Sequence, residues 1–330
     1  MIRFRFGHDD LLRTRFALSP LCEVVWSTHV LRDPARHSLH LPWVRAAKER
    51  LEGLDWGLLD VLANRSPYGY VPDFISPPPS TPLPDVADEL ATVRTTPPGQ
   101  VAREVHLRFE GEPVPDVVRP LLDEPQQALH MLADVMTAYW ERAIAPWWPA
   151  IRGALEADIL HRSRLLTTAG TGSVFDDLHP EVRWRGGVLE VDRHGGYSQD
   201  VALGGRGLLL VPAAFAWPDA FCFTDEPWQP AIVYTPRGIG DLWEPSTGAD
   251  GAPAMAALLG GRRAAILTAL EAPATTGELA GRLGASPAGV SEHLGVLRRA
   301  GLVRATRDGR HVRYVRTPAG SLLLRAPSAR

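Results

Sequence analysis

The sequence predicts an α+β fold: a mostly helical N-terminal and middle region with a small antiparallel sheet, then a compact C-terminal module of helices and one hairpin. Three observations support this prediction. Apolar residues recur at helical spacing through much of the first half, and short β-rich runs between glycine turns follow residue 180. From residue 254 onward, helix-start, helix-stop and hairpin signals follow one another in close order.

The first region is predicted to be helical and the middle to contain strands. Helical spacing of apolar residues covers residues 18–31, 41–62, 126–145 and 148–168, with Pro146 and Pro149 breaking the last pair apart. Short β-rich runs follow at residues 181–184, 188–192, 207–211 and 231–234. Gly186-Gly187 joins the first two of these as a hairpin turn.

The C-terminal region contains the most regular pattern. An apolar helical face from Met255 to Leu270 stops at Pro273, and Thr275-Thr276-Gly277-Glu278 is a capping box that starts a short helix. Gly284 suits a left-handed helix end, and Ser286-Pro287 caps and opens the next helix. This order of helix, turn and helix predicts a helix-turn-helix.

The second helix of that pair has one apolar and one polar face. Val290, Leu294 and Leu297 are spaced to face the core. The opposite face carries small and polar residues that would let the helix approach base edges: Ala288, Gly289, Ser291, Glu292, Gly295, Arg298 and Arg299. His293 is interpreted as a packing or phosphate-contact residue.

A hairpin follows this helix. Residues 302–306 and 311–315 alternate with period two around an Asp308-Gly309 turn, which predicts the wing of a winged helix-turn-helix. Arg307 and Arg310 flank the turn and could reach a phosphate backbone or a minor groove. We expect bases to be read at or near Ser286, Ala288, Gly289, Ser291 and Glu292, and phosphates to be held by Arg298, Arg307, Arg310 and Arg313, with His293 and Arg299 completing the DNA-binding set.

Charge is distributed unevenly along the chain. The net charge is −3, but residues 255–330 contain twelve arginines against four acidic residues, which leaves the preceding region acidic. A small cationic module indicates a polyanion partner, because phosphate attraction supplies most non-specific affinity for double-stranded DNA. The alternative is a solvated arginine-rich tail.

Three proline- or glycine-rich stretches divide the chain, at residues 72–84, 95–100 and 244–251. The first can be neither regular helix nor central strand, so it is interpreted as a linker or a long excursion. The third separates the acidic body from the basic tail. We therefore expect a regulatory, effector or interaction region at residues 1–245, with a candidate sub-boundary near residues 72–100, and a DNA-binding domain at residues 253–330.

Composition excludes other classes of protein. No apolar run of about 18 residues and no secretory signal is present, so we expect a cytoplasmic protein with no membrane partner. Cys22 and Cys222 are far apart in sequence, which indicates neither a disulfide framework nor a thiolate metal site. No nucleophile, metal or cofactor motif is recognisable, so we expect neither an enzyme nor a bound cofactor.

The C-terminal module resembles the ArsR family of winged helix-turn-helix transcriptional regulators from bacteria. The resemblance rests on residues 276–280, 286–294 and 297–303, whose order and spacing match the family. It implies a homodimer in which the first and last helices of the module contribute to pairing, so that two recognition helices read a palindrome. The metal-sensing members carry thiolates near the recognition helix and carboxylate and histidine ligands on the final helix. Neither set is present here, so we expect no metal.

The body resembles the long, uncharacterised region fused to such domains in some GC-rich bacteria, through residues 178–184 and 208–212. Seven of its residues supply flat apolar surfaces that could line a small-molecule effector pocket: Trp140, Trp147, Trp148, Trp184, Trp217, Trp228 and Trp243. They are equally typical of an ordinary core.

Two groups of acidic and histidine residues in the body do not have the spacing of a metal motif. Glu156, Asp158 and His161 on one helix are interpreted as a solvated face, and Glu104 with His106 are placed on a strand.

The function expected is a homodimeric, DNA-binding repressor with a non-metal effector or interaction role for the body. The alternatives are an enzyme or a protein-interaction scaffold, each with a DNA-anchoring tail.

Overall fold

The chain forms two compact units, Met1–Leu242 and Trp243–Arg330, which are described separately. The computed structural model describes residues 1–64, 70–192, 198–243, 251–270, 273–308 and 311–325. Residues 244–250, which contain most of the expected domain boundary, lie outside this set. Within the described residues, no helix is long and apolar enough to cross a membrane.

The first unit contains nine α-helices in its described residues. They are α1 (His8–Arg13), α2 (Pro20–Arg32), α3 (Leu41–Arg50), α4 (Gly57–Ala63), α5 (Val86–Arg94), α6 (Pro98–Arg108), α7 (Pro120–Asp123), α8 (Pro125–Tyr139) and α9 (Trp148–Ala169). Helix α2 is central, since ten of its 13 residues are buried. A π-helical turn, Trp140–Ile144, continues α8 and leaves the Ala143 carbonyl to accept a hydrogen bond from Trp43 Nε1 at 2.9 Å.

Eight short strands complete the first unit. They are β1 (Ile2–Arg5), β2 (Arg15–Phe16), β3 (Val182–Arg185), β4 (Val188–Val191), β5 (Gln199–Ala202), β6 (Leu209–Pro212), β7 (Phe221–Phe223) and β8 (Ala231–Tyr234). They form two four-stranded sheets, in the orders β3-β4-β1-β5 and β2-β6-β8-β7. The α+β class is confirmed, but both sheets are mixed rather than antiparallel, because β1 pairs with β5, and β6 with β2 and β8, in parallel.

The two sheets share one hydrophobic core. Ile2 and Phe4 of β1 pack with Leu189 of β4, and the same cluster includes Leu210 of β6 and Ile232 of β8. All four residues of β6 and of β8 are buried, which is typical of parallel strands covered on both faces. The predicted hairpin turn is confirmed, since Gly186 and Gly187 have φ values of 55° and 83° between β3 and β4.

Two predicted helices are each divided. The helix expected over residues 41–62 separates into α3 and α4 around Gly53, whose φ of 76° cannot continue a right-handed helix. The apolar face from Met255 to Leu270 is divided in the same way at Gly260, with φ of 84°.

The proline-rich stretch at residues 72–84 is not a linker. A 3₁₀ turn, Asp73–Ile75, buries Phe74 and Ile75 completely, and the Phe74 amide donates to the Glu104 carboxylate at 2.8 Å. Residues 72–100 lie inside the single unit Met1–Leu242. Glu104 and His106 lie on helix α6 rather than on a strand, since Pro98 opens a helix there.

The second unit is a helical module with a three-stranded sheet. Its helices are α10 (Gly251–Leu259), α11 (Gly261–Ala269), α12 (Thr276–Leu283), α13 (Pro287–Arg299) and α14 (Pro318–Arg325). Strands β9 (Ala274–Thr275), β10 (Val303–Asp308) and β11 (His311–Arg316) pair in the order β10-β11-β9. Ile266, Leu279, Val290, Leu294 and Leu297 belong to its buried core.

Candidate nucleic-acid interface

Helix α12 begins at the predicted capping box. The Glu278 amide donates to Thr275 Oγ1 at 3.3 Å, and Glu278 Oε2 accepts from the Thr275 amide at 2.8 Å. That backbone hydrogen bond is the main reason that the pKa of Glu278 lies below its usual value. The helix ends at Gly284, whose φ of 57° is the left-handed conformation expected there.

Helix α13 follows after a three-residue turn, so that the two helices form a helix-turn-helix. The Ser286 hydroxyl caps it by accepting from the Gly289 amide at 3.2 Å, and Pro287 is its first residue. Val290, Leu294 and Leu297 are at most 1% exposed, which fixes the rotation of the helix about its axis. The residues between them must therefore face away from the core.

The opposite face of α13 presents the predicted set to solvent. Ala288, Ser291, Glu292, Arg298 and Arg299 are exposed, whereas Gly289, His293 and Gly295 are half-buried. A Cβ at Gly295 would meet only the Arg299 guanidinium, at 3.6 Å, so no side chain projects from the helix backbone at this position. A Cβ at Gly289 would lie 3.2 Å from Ser286 Oγ, so this glycine also protects the cap.

The arginines of the second unit whose side chains the structure describes fall into two groups. Four are held by backbone carbonyls of their own unit: Arg263, Arg282, Arg313 and Arg316. Arg262, Arg298, Arg299 and Arg304 are exposed and have no hydrogen-bond or ion-pair partner among the described residues. Two of these unpaired cations lie at the end of α13 and one lies on β10, which makes them available to an anionic partner.

Arg313, which is predicted to hold a phosphate, has partners within its own unit. Its Nη1 atom lies 3.6 Å from Glu278 Oε2 and donates to the Pro273 carbonyl at 3.5 Å, so the guanidinium ties β11 to the start of α12. Sequence reasoning missed Arg304 as an exposed cation. The alternation of strand residues would have revealed it. Arg304 follows Val303, which is buried at the start of the first wing strand, and successive side chains of a strand point to opposite faces.

The wing is a regular hairpin. Strands β10 and β11 pair from Val303↔Arg316 to Asp308↔His311. Strand β9 pairs with β11 through Arg313↔Thr275 and Tyr314↔Ala274. This pairing anchors the hairpin beside the first turn of α12. Arg310 lies outside the described residues, and of Arg307 only the strand backbone is described.

The tryptophans of the body do not form one pocket. Trp140 packs edge-on against Trp148 at 5.2 Å, Trp184 stacks on Phe175, and Trp228 donates to Glu104 at 3.1 Å. Trp217 instead lies beside His40, with ring centroids 6.2 Å apart. Of this set, Trp217 lines a cavity among the described residues, together with His179, Pro218 and Thr235.

The helix that carries Glu156, Asp158 and His161 is not a solvated face throughout. Asp158 is 2% exposed and accepts from Arg162 Nε at 2.9 Å and from the Tyr234 hydroxyl at 2.7 Å. Within the described part of the chain, no group of three or more histidine, cysteine, aspartate or glutamate side chains is arranged to hold a metal ion.

Two family comparisons match separate parts of the chain. Residues 262–305 match the family model of a helix-turn-helix domain, which covers most of α11, all of α12 and α13, and the first half of the first wing strand. Residues 108–238 match a family of unknown function, DUF5937. No curated protein and no solved structure matches the chain. The helix-turn-helix match indicates DNA binding and a role in transcription regulation.

Proposed function

We propose that this chain is a homodimeric transcriptional repressor of the ArsR type, and that helix α13 reads a palindromic operator in the major groove. The observation that carries this proposal is the exposed face of α13, where small and polar residues are followed by two unpaired arginines, Arg298 and Arg299. A recognition helix needs this combination, because bases specify the sequence while phosphates position the protein.

Residue roles follow from position along α13. Ala288 and Gly289 permit close approach at the N-terminal end, where backbone amides favour a phosphate. In this proposal Ser291 and Glu292 hydrogen-bond base edges, where a carboxylate would accept from a cytosine amino group. Arg298 and Arg299 at the other end, with Arg304 on the wing, would bind backbone phosphates.

Pairing of two chains would use the helices at the ends of the second unit. Leu258 of α10 is 68% exposed, and α14 contributes Leu323 and Leu324 only partly to the core. Both helices therefore present apolar surface that a second copy could cover. In this proposal the first unit binds a non-metal effector or a protein partner and has no catalytic step.

Selection of binding sites from random duplexes tests the operator proposal. We expect enrichment of an inverted repeat whose half-sites are about 10 base pairs apart, bound by two chains in sedimentation analysis. Enrichment of a site without symmetry, bound by one chain, would contradict the dimer. Repression is tested separately by in vitro transcription from the chain's own upstream DNA, where we expect fewer transcripts as protein is added; an increase would make the protein an activator.

A further inference from the structure

The sheet β3-β4-β1-β5 of the first unit has one face in the core and one face in solvent. Every second residue of its strands enters the core, as Ile2, Phe4 and Leu189 do. The residues between them form the outer sheet face, which consists of Arg183, Arg185, Val188, Glu190, Arg3, Arg5, Asp200 and Ala202. Five of these eight residues are exposed and three are half-buried, so the outer sheet face is open to solvent.

The strand register arranges the outer sheet face in two rows. The first row is Arg183, Glu190, Arg3 and Asp200, and the second row is Arg185, Val188, Arg5 and Ala202. Four arginines therefore stand against two carboxylates, and both carboxylates lie in the first row. The second row contains no acid, although the first unit as a whole has more acidic than basic residues. Positive charge is thus concentrated locally on an acidic unit.

The arginines of the edge strand β3 have no partner of their own. Arg183 and Arg185 are exposed, and neither forms a hydrogen bond or an ion pair with another described residue. On β1, Arg5 donates to Asp200 at 3.2 Å and Arg3 lies 3.6 Å from Glu190, but the two arginine side chains remain 57% and 37% exposed. Ion pairs at such exposure contribute little to stability, so all four guanidinium groups are accessible to an external anion.

We propose that the outer sheet face binds the phosphate backbone of double-stranded DNA, as a second contact surface in addition to α13. Arginine suits this task, because its planar guanidinium group can donate two hydrogen bonds to one phosphate. The arginines of β3 are two residues apart, as are those of β1, which separates their Cα atoms by about 7 Å. Neighbouring guanidinium groups can therefore bind separate phosphates. The proposal rests on the DNA-binding part of the proposed function and is independent of operator symmetry and of repression.

The composition of the outer sheet face favours duplex DNA over other partners. A protein interface usually has an apolar centre, and the apolar residues of this face are Val188 and Ala202 alone. Single strands bind by stacking of their bases on aromatic rings, but Trp184 of β3 points the other way and packs on Phe6 and Phe175. Protein–DNA interfaces are polar and rich in positive charge, as this face is.

Fluorescence anisotropy of the full chain on DNA across a salt series tests the proposal. Arg183→Gln combined with Arg185→Gln removes the two unpaired cations of β3. We expect the slope of log K against log salt to fall by about two. The fall should be the same on the chain's own upstream DNA and on an unrelated duplex, because phosphate contacts carry no sequence information. The melting temperature should stay the same or rise, since two like charges have gone from one strand.

The matched control is Arg45→Gln combined with Arg50→Gln. Both arginines lie on α3 of the same unit, are exposed and have no partner among the described residues, so the change in net charge is identical. This pair should leave the slope unchanged. An unchanged slope in the β3 variant, or an equal fall in the α3 control, would overturn the proposal, because the effect would then be absent or due to net charge alone.

The same assay separates this proposal from the role proposed for α13. A smaller slope in the β3 variant with an unchanged slope in Arg298→Ala would keep the outer sheet face as a DNA contact and reject α13. The reverse result would keep α13 and reject the outer sheet face. Binding of neither duplex by the full chain would overturn both.

Photo-crosslinking tests directly whether DNA lies on the outer sheet face. Val188→p-benzoylphenylalanine places a photoreactive group in the second row, between Arg185 and Arg5, and Val117→p-benzoylphenylalanine places it at another exposed position of the unit. We expect a labelled duplex to cross-link at position 188 and not at position 117. No DNA adduct at position 188, equal adducts at both positions, or an adduct between two chains at position 188 would overturn the proposal, the last by making this face a protein contact.

Discussion

Gly320 is placed where α14 passes over the turn between α13 and β10. It is buried, and a Cβ at this position would overlap the Leu302 carbonyl oxygen. The nearest atom is backbone, so a side chain cannot be accommodated by a change of rotamer. This glycine therefore sets how closely α14 can pack against the rest of its unit.

Gly320→Ala is expected to destabilise the second unit by about 1–3 kcal/mol, because α14 must move away from Leu302. Thermal unfolding monitored by circular dichroism measures the effect. Gly281→Ala is the control, because Gly281 is exposed within α12 and nothing lies within 4 Å of an added Cβ. That variant should be stabilising by about 0.5–1 kcal/mol. Equal effects of the two substitutions would contradict the close packing of α14.

Two buried glutamates in the first unit lack a positively charged partner among the described residues. Glu89 accepts from the Ser19 hydroxyl at 2.6 Å and from the Leu21 amide at 2.9 Å, and burial raises its pKa to about 8. Glu23 accepts from the amides of Ala214 and Phe215, and burial raises its pKa to about 7. In both cases desolvation of the charged form outweighs the hydrogen bonds.

These raised pKa values predict how stability depends on pH. The folded state holds these protons more tightly than the unfolded state, where glutamate has a pKa of ~4.3. The resulting stabilisation is complete below that value and is lost as the pH rises through about 7 and about 8. Glu89→Gln cannot ionise, so urea unfolding between pH 5.5 and 8.5 should show a shallower loss of stability than in the wild type. An identical slope would mean that Glu89 is already ionised in the folded state.

At the scale of the element, the N-terminal cap of α13 can be separated from its recognition face. Ser286 and Ser291 are both exposed serines, five positions apart. Ser286 Oγ accepts from the Gly289 amide, whereas no hydrogen bond of the Ser291 hydroxyl to another described residue is found. The Ser286 hydroxyl therefore stabilises the helix, whereas the Ser291 hydroxyl is available to hydrogen-bond a partner molecule.

The two serine-to-alanine variants should affect different properties: one the stability of the fold, the other the choice of DNA sequence. Ser286→Ala is expected to lower the free energy of unfolding by about 1 kcal/mol through loss of the cap. Ser291→Ala should leave stability unchanged and alter the preference among operator sequences. Binding measured on a panel of single-base operator variants decides the second point. Equal losses on every duplex would reassign Ser291 from base reading to positioning.

Elements with local signals could be predicted from sequence, and elements with distant partners could not. Helices α12 and α13 agree with prediction because the signals at their ends act over only three or four residues. These signals are the capping box that starts at Thr275, the helix end at Gly284 and the cap at Ser286. Strands β1 and β2 were not predicted. They have four and two residues, and their partners lie at least 180 positions away in the chain.

The candidate sites show the same contrast. The α13 face could be derived from helical spacing alone, because Val290, Leu294 and Leu297 determine which residues point outward. The contact of Arg313 with Glu278 could not be derived from the sequence, since it depends on pairing between β9 and β11. The cavity beside Trp217 was also beyond sequence reasoning, because its lining comes from segments near residues 180, 217 and 235 that only tertiary packing brings together.

At the scale of the whole molecule, charge and structure divide the chain in the same region. The structural units separate between Leu242 and Trp243, and the basic part of the sequence begins at residue 255. The net charge of −3 would not by itself indicate a nucleic-acid partner. The cations matter because they belong to one small unit, where several have no partner of their own among the described residues.

The central claim is that the face of α13 binds DNA through its arginines. Fluorescence anisotropy across a salt series, on the chain's own upstream DNA and on an unrelated duplex, tests it most directly. The wild type should prefer its own DNA with a steep salt dependence, and Arg298→Ala should reduce the slope of log K against log salt by about one. Arg152→Ala, which removes an exposed arginine paired with Glu156 in the other unit, should leave the slope unchanged. Binding of neither duplex, or the same slope in Arg298→Ala as in the wild type, would contradict the account.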